Sequence, residues 1–544
     1  MRGLARLLWR NADGAVAPTV ALSLTALIAA GGIAFDYARM ASMDTELQSA
    51  ADQAALAAAS QLDGQTDARA RATAAAKQMV VNLTYESNDS CGTTVKIEND
   101  SPSTSCAATG SVVFYQDAGK SQLATTDAEA KFVLVTVDTR TSFYALTPIV
   151  AAFSSGPMDA KAFAGLDSAV CKVPPVMICN PQETAGNTNF DIGSLIGKGI
   201  KLVSQGGGNG TWAPGNYGYL DTHTGQTGVP PIRQALAWGS PPGDCVEANG
   251  VDTKPGVSTT VTDALNTRFD IYDSNTSCPN GGTCPASINS VKDVIRPANG
   301  NANQGCTATN NTNGWNLPAN YYGSGTIPNS ATVPLPTTIT PSVMGHPRDM
   351  CHAVDSSVAG ACTGPIGNGV WDRDAYFRTN YGWTSAQWQT NTGLSPTVAV
   401  TAANYASRYN VYAWEIAHRG QTIGGRVILG TRTVSGSGAS AQTSYGSPVC
   451  SPLKNYGAGT VPSTATPDRR KFSVAVVNCT QQGVNGNSTD VQVKEWIDVF
   501  LVQPSLNRAR TNAGDIYIEV IGRTDNAANG AVQVIKKSVP YLIE

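Results

Sequence analysis

Few residues of this 544-residue chain have the types and spacing that chemistry needs. There are four histidines, His223, His346, His352 and His418, and two of them share the run GHPRDMCH with Asp349 and Cys351. Imidazole, carboxylate and thiolate are all zinc ligand types, but zinc sites hold them in tighter C-x-x-C-like patterns. The spacing here reads as a loop with surface histidines and a disulfide-bonded Cys351. Trp371-Asp372-Arg373-Asp374 sets two carboxylates beside an arginine. Such a pair could divide acid and base roles at a glycosidic bond if the fold gave them the right separation. The commoner outcome is an ion pair or a helix start, where acidic side chains suit the helix dipole. GGGNG, from Gly206 to Gly210, lacks the lysine that completes a phosphate-binding loop. No G-x-S-x-G occurs, and no G-x-G-x-x-G in its proper context. We therefore expect a protein that is not an enzyme and needs no cofactor or metal.

Composition supports a structural role outside the cytosol. Charged residues make up 14% of the chain, hydrophobic residues 41%, and glycine numbers 54. That balance gives enough apolar material for a core and resembles an exported, loop-rich β protein. The net charge of -3 is thinly spread, and no basic patch speaks for nucleic acid. Twelve cysteines all lie beyond residue 90. Their even count suits a disulfide framework in an oxidising compartment. Sequence does not fix the pairing. Neighbours are the simplest expectation: Cys91 with Cys106, Cys171 with Cys179, Cys278 with Cys284, Cys351 with Cys362, and Cys450 with Cys479, leaving Cys245 and Cys306.

These residues hang from one long N-terminal element. From Ala15 to Phe35 the chain is apolar and uncharged, the length of about 20 residues that a helix needs to cross a bilayer core. Strong helix formers continue to Ser60, with no glycine or proline before Gly64. A helix over Ala15–Ser60 would be about 70 Å long, a membrane span running into a water-exposed stalk. Arg2, Arg6 and Arg10 precede the apolar run, which places the N-terminus in the cytoplasm and the bulk outside. The competing reading is a signal peptide cleaved near Gly32-Ile33-Ala34. Ala26, Ala30 and Ala34 recur every four residues, a small-residue face that would let another helix approach closely. Leu47, Ala50, Ala51, Ala54, Ala55 and Ala58 make a second stripe at helical period, which could equally pack on the chain's own domain. A second helix from Asp67 to about Leu83 should fold back on the first.

The run GAVAPTVALSLTALIAAGGIAFDYARM, followed by LQSAADQAALAAAS, resembles the N-terminal module of TadG-like proteins of the tight-adherence (Flp-type) pilus assembly systems of bacteria. Gly14, Asp36, Leu47, Gln48, Ala50, Ala51, Asp52, Ala54, Ala55, Leu56 and Ala57 occupy the positions of that motif. The resemblance implies a long helix followed by a small pilin-like sheet. It also implies assembly partners at the helix, either inner-membrane pilus-assembly proteins or pilins, with Ala26, Ala30, Ala34, Asp36, Leu47, Gln48, Ala51, Asp52 and Ala55 as packing residues. Related prepilin-like proteins carry a glutamate five residues after a cleaved glycine. Thr19 stands there, which favours a retained anchor. Asp273-Ser274-Asn275-Thr276-Ser277 has a faint likeness to the D-x-S-x-S cation site of von Willebrand A domains, which some TadG-like relatives carry.

Beyond the helices we expect an α+β protein. Phe132–Asp138 reads as a strand, as do Phe472–Val477, Val491–Val502, Ile516–Ile521 and Val532–Val539. Alternation fails at Glu495 and Trp496, which suggests a bulge or a change of partner. The last four strands could rejoin the sheet begun near Phe132, making the middle an insertion, or could form a second sheet. Trp212, Tyr217, Trp238, Trp315, Trp371 and Trp383 could anchor the turn-rich middle, with short helices near Ile232–Trp238 and Asp372–Tyr381. The expected organisation is residues 1–14 cytoplasmic, 15–35 transmembrane, 36–83 helical stalk, 84–181 pilin-like β region, 182–390 disulfide-stapled insertion and 391–544 C-terminal β region. The function this points to is a membrane-anchored, non-enzymatic component of pilus assembly or adhesion, single-pass in the bacterial inner membrane with a periplasmic bulk. The alternatives are an anchored carbohydrate-binding protein or hydrolase built on exposed tryptophans and Asp372/Asp374, and a cation-dependent adhesin.

Overall fold

A computed structural model describes residues 16–543 except 65, 80–83, 90, 92–94, 96, 98–109, 128, 147–153, 172–175, 204–215, 222–228, 240–245, 248–249, 256–260, 262, 273–277, 279–282, 299–304, 309–313, 326, 330–332, 398–402, 439–440, 464–465, 486, 512–514 and 525–534. The arginine flank, Trp212, Cys106, Cys245 and the Asp273–Ser277 motif lie outside the described residues. So do the side chains of Tyr217 and Cys171. The fold is α+β, and the chain forms two compact units. The first comprises residues 1–168 and 537–544, the second 169–536. The division falls within strands, because the sheet begun in the first unit is completed only by the end of the chain.

In the first unit, α1 spans Val16–Ala59 and α2 spans Ala68–Met79. Between them Gly64 takes φ +72°, a left-handed geometry that glycine adopts without a Cβ penalty. Met43, Leu47, Ala50, Ala51, Ala54, Ala55, Ala58 and Ala59 are fully buried. They pack with Ala72 and Ala76 of α2 and with Val133, Val135, Ala162 and Ala164 of the sheet. Beyond Met43 and Leu47 the buried contacts of α1 are all alanines, which lets the helix lie close to the strands. The upper half of α1 is thus covered by its own domain and is not a free stalk.

That sheet runs β1 (Ser111–Tyr115), β2 (Phe132–Thr136), β3 (Lys161–Cys171), and then the last strand of the chain, Ile535–Leu542. β1–β2 and β2–β3 are antiparallel, and Ile543 N donates to Phe163 O at 2.8 Å. Of the four expected C-terminal strands, the last rejoins the first sheet and the other three build a second one. The middle of the chain is therefore inserted between two neighbouring strands.

The second unit is built on the order β4-β6-β7-β8-β5, from β4 (Met177–Cys179), β5 (Gly199–Val203), β6 (Lys471–Val477), β7 (Val491–Leu501) and β8 (Ile516–Arg523). The closing strand Ile535–Leu542 is β9. In β7, Val491 and Val493 are buried while Gln492 and Lys494 are exposed, the one wet face that alternation implies. Val476 pairs with Glu495 but Val477 with Val493, so the bulge sits where the alternation fails. The unit also carries the short helices α3 (Val229–Ala237), α4 (Arg373–Tyr381), α5 (Ser385–Thr392) and α6 (Arg408–Ala417).

Two of the expected neighbour disulfides form, Cys278–Cys284 and Cys351–Cys362. Two do not. Cys179 bonds Cys479 and Cys450 bonds Cys306, so neither Cys171–Cys179 nor Cys450–Cys479 exists. The reason is register. β4 lies parallel to β6, with Cys179 opposite Val477, which brings Cys479 within reach across 300 residues of sequence. Cys450 is placed by the Asp270 carboxylate, which accepts from Val449 N, Cys450 N and Ser451 N, while Tyr272 N donates to Cys306 O. Cys91 is disulfide-bonded, and Cys106 lies outside the described residues.

Non-reducing peptide mapping should recover the Cys179–Cys479 and Cys306–Cys450 crosslinks. A Cys450–Cys479 peptide would contradict the register. Replacing Cys179 and Cys479 by alanine should cost the second unit about 2–5 kcal/mol, because a long loop of the unfolded chain is released. Urea unfolding of the variant measures this.

Candidate functional site

The best-defined meeting of the apolar helix with the rest of the chain is at Asp36. One turn beyond Gly32 and directly after Phe35, its carboxylate is almost fully buried, 1% exposed. A buried carboxylate is costly unless it is hydrogen-bonded. Here it accepts from Ala145 N at 3.1 Å and Leu146 N at 2.9 Å. The chain 144–146 then runs along α1 toward its N-terminus. The Tyr144 hydroxyl is 3.5 Å from the Met40 sulfur, and Leu146 lies on Gly32. A Cβ at Gly32 would stand 2.9 Å from Leu146 Cβ, so only glycine admits this approach.

The loop carrying Ala145 and Leu146 is itself held on several sides. Asn88 accepts from Phe143 N at 2.6 Å and donates to Phe143 O at 3.0 Å. Ser142 N donates to Ser155 Oγ at 3.0 Å. Arg140, fully buried, forks onto Asp89 at 3.1 and 3.0 Å, and Thr141 N donates to the same carboxylate at 2.9 Å. Burial pushes the Asp89 carboxyl up, but Arg140 and the backbone donors of Thr141 and Cys91 outweigh it and hold it at about 2, below the usual 3.8. Just above Asp36, Arg39 pairs with Glu86 at 2.9 Å, a half-exposed bridge of small energetic worth.

The other sequence-indicated packing residues divide between free and occupied faces. Ala26, Ala30 and Ala34 are exposed. Leu47, Ala51 and Ala55 are buried against the first unit's own sheet and α2. Gln48 and Asp52 are half-buried at the edge of that contact, where Gln48 donates to Asp52 at 2.8 Å and to Lys161 O at 3.1 Å.

The side chains that suggested chemistry are brought into separate structural tasks. Asp372 caps α4, accepting from Ala375 N at 3.0 Å, and also accepts from Leu335 N at 2.8 Å. Asp374 accepts from the Trp388 indole at 2.7 Å. His352 uses both ring nitrogens, on the Tyr517 hydroxyl and Gly364 O, each at 2.9 Å, and burial draws its pKa down to about 4. His346 is buried and stacked on Tyr376. Trp315, Trp371 and Trp383 are core residues at 1–2% exposure and offer no stacking platform for a sugar. A cleft of about 440 Å³ that includes Asn380, Tyr381, Arg426, Arg432 and Tyr445 has no carboxylate or histidine on its wall. Among the described residues no three His, Cys, Asp or Glu side chains gather as a metal would require.

Sequence reasoning missed one buried network. Arg408, at the start of α6, bridges Asp349 and Glu519, all three essentially unexposed. Burial alone would lower the Arg408 pKa, and the two carboxylates overcome this. Nearby, Glu415 accepts from the Tyr376 and Tyr381 hydroxyls at 2.6 and 2.8 Å and from Asn289 at 2.6 Å. These groups come from segments far apart in the chain, so no local motif announces them.

The Asp36 position, the apolar helix before it and the alanine stripe after it fall together in one comparison. Residues 14–61 match the Tad family, described as Flp pilus-assembly TadE/G-like. The N-terminal helix is a TadE/G-like module. The match covers α1 and ends just before the Gly64 turn, so the second unit lies wholly outside it. No curated protein and no solved structure matches the chain. The module's helix is the one described helix long and apolar enough to cross a membrane.

Replacing Asp36 by alanine leaves two backbone donors without their acceptor and should cost the first unit about 1–3 kcal/mol. The amides of Ala145 and Leu146 should then lose protection in hydrogen exchange. Unchanged protection would show that the carboxylate does not hold the loop. The Asp89 clamp should also respond to acid. A carboxyl held below its ordinary value stabilises fully above about pH 4 and loses that contribution as pH falls toward about 2. Pepsin should therefore cut at Phe143–Tyr144 readily at pH 2 and slowly at pH 4, and Asp89→Asn should be cut at both.

Proposed function

We propose that this chain is a membrane-anchored, non-enzymatic component of Flp pilus assembly. The single observation that carries the proposal is the match of residues 14–61 to the TadE/G-like family, over a helix whose motif residues have defined structural tasks. Three features support a mechanical role. The apolar half of α1 is exposed at every described position except Ala29 and Gly32, as a helix that faces lipid or other helices would be. Asp36 joins the end of that apolar run to the first unit directly. The carboxylates and histidines that could have served catalysis are engaged in caps, ion pairs and core hydrogen bonds.

In this reading the N-terminus is cytoplasmic, the span is retained in the bacterial inner membrane, and both units are periplasmic, where the disulfides form. The exposed face of Ala26, Ala30 and Ala34 is where the helices of pilins or of other inner-membrane assembly proteins pack. The buried stripe at Leu47, Ala51 and Ala55 serves the chain's own fold.

Deleting the gene should reduce surface pili and adhesion, and the wild-type chain should restore them. Replacing Ala26 and Ala30 by leucine should impair restoration without lowering the amount of protein in the membrane. Electron microscopy and immunoblotting read both outcomes. Normal piliation in the deletion strain would refute the proposal.

A further inference from the structure

The loop held by Asp36 carries a feature that its fastening does not explain. Phe143 and Leu146 are 51% and 50% exposed, although both are apolar and their backbones are pinned by Asn88 and Asp36. Four hydrogen bonds to these two residues and Ala145 hold apolar side chains out of the unit's own core. Such an arrangement is unfavourable in water, because apolar surface gains free energy when it leaves water.

The height of Leu146 along α1 identifies what covers it. Leu146 rests on Gly32, inside the uncharged run that ends at Phe35. At 1.5 Å of rise per residue, that contact lies about 4–5 Å on the apolar side of Phe35. Around it, Ile33, Phe35 and Tyr37 are also exposed. The charged pair Arg39–Glu86 begins one turn further on. The apolar surface of the loop is thus continuous with the surface of the segment that would span the bilayer, and charge appears just beyond it. Apolar and aromatic side chains followed by charge is the order in which a bilayer passes from acyl chains to headgroups.

We infer that the loop Phe143–Leu146 is a second membrane contact. It inserts Phe143 and Leu146 into the outer acyl–headgroup boundary, so the first unit stands on the lipid surface and is not held away from it by a stalk. Asp36 then sits at the boundary with its charge covered by the loop's own amides. The partner is the lipid bilayer itself. This inference rests on the reading of α1 as a membrane span.

The test uses the full chain in vesicles of phosphatidylethanolamine and phosphatidylglycerol. Photoreactive benzoylphenylalanine is placed singly at positions 33, 143, 146 and 123, and lipid adducts are read by mass spectrometry. Position 33 reports the span. Leu123, 59% exposed in the same unit but distant from α1's apolar run in sequence, reports background. Adducts at 143 and 146 at the level of position 33, with loss of signal at 123, are expected. Adducts at 33 but not at 143 or 146 would overturn the inference and leave the anchor intact. No adduct at any position would overturn the anchor reading and this inference with it. Equal adducts at 123 and 143 would also overturn it, since the contact would then be unspecific. The double variant Phe143→Ser, Leu146→Ser keeps the backbone fastening. It should leave adduct formation at 33 unchanged and make Phe163 and the other core positions no more accessible to protease.

Discussion

A carboxylate placed at the end of an apolar helix must find donors, and Asp36 finds them in backbone 109 and 110 residues downstream. The geometry of the first unit follows from that requirement. Ala145 and Leu146 have to lie on the helix for their amides to reach the carboxylate. Gly32 has to lack a side chain for Leu146 to lie there. The segment feeding the loop then has to be rigid, which Arg140–Asp89 and Asn88 provide. Further along, the alanines from Ala50 to Ala59 keep the helix close to the sheet, after the larger Met43 and Leu47 in the same buried face. The motif that defines the N-terminal module thus encodes its attachment to its own domain as much as any attachment to others.

This changes what the motif residues of the helix are for. Read along the sequence, Leu47, Ala51 and Ala55 look like an assembly face. In three dimensions they are interior. The face left open is the lower one, through Ala26, Ala30 and Ala34, which lies in the apolar run. Helix association in a membrane depends on packing of small residues because lipid offers no hydrophobic drive. In the upper half of α1 the stripe at Leu47, Ala51 and Ala55 is committed to the unit's own sheet.

Local patterns were legible in the sequence, and distant pairings were not. The long helix, the Gly64 break, the returning helix, the strands and the β7 bulge all announce themselves through period, propensity and turn residues within a few positions. The fate of Asp372 as a cap was readable from its place before a helix. By contrast, Cys179 meets Cys479 only because β4 and β6 run parallel, and a parallel pairing has no local signature. The same holds for Arg408 with Asp349 and Glu519, whose mutual burial depends on three separate segments arriving together. Tryptophan at a turn-rich position could have been a surface platform or a core anchor, and Trp315, Trp371 and Trp383 are the latter, Trp383 stacking on Phe377 and Tyr381 of α4 and Trp371 lying edge-on to Tyr376. Asp36 was visible as a motif residue, but its partners, two main-chain amides, carry no side-chain identity to detect.

The second unit leaves the first after β3 and returns at β9, and these two strands are neighbours. The order of synthesis therefore matters. When β3 emerges its edges are open; the strand Val246–Glu247 later pairs only its end, at Ala169 and Val170, and the stretch beside β9 waits until more than three hundred further residues have been made. A bare strand edge invites pairing with other chains. The inserted unit can settle during this wait, since its own sheet is complete before β9 appears. Neighbouring entry and exit points also mean that an insert of very different size would close the same seam. The first unit's sheet thus sets no requirement on the length of chain between β3 and β9.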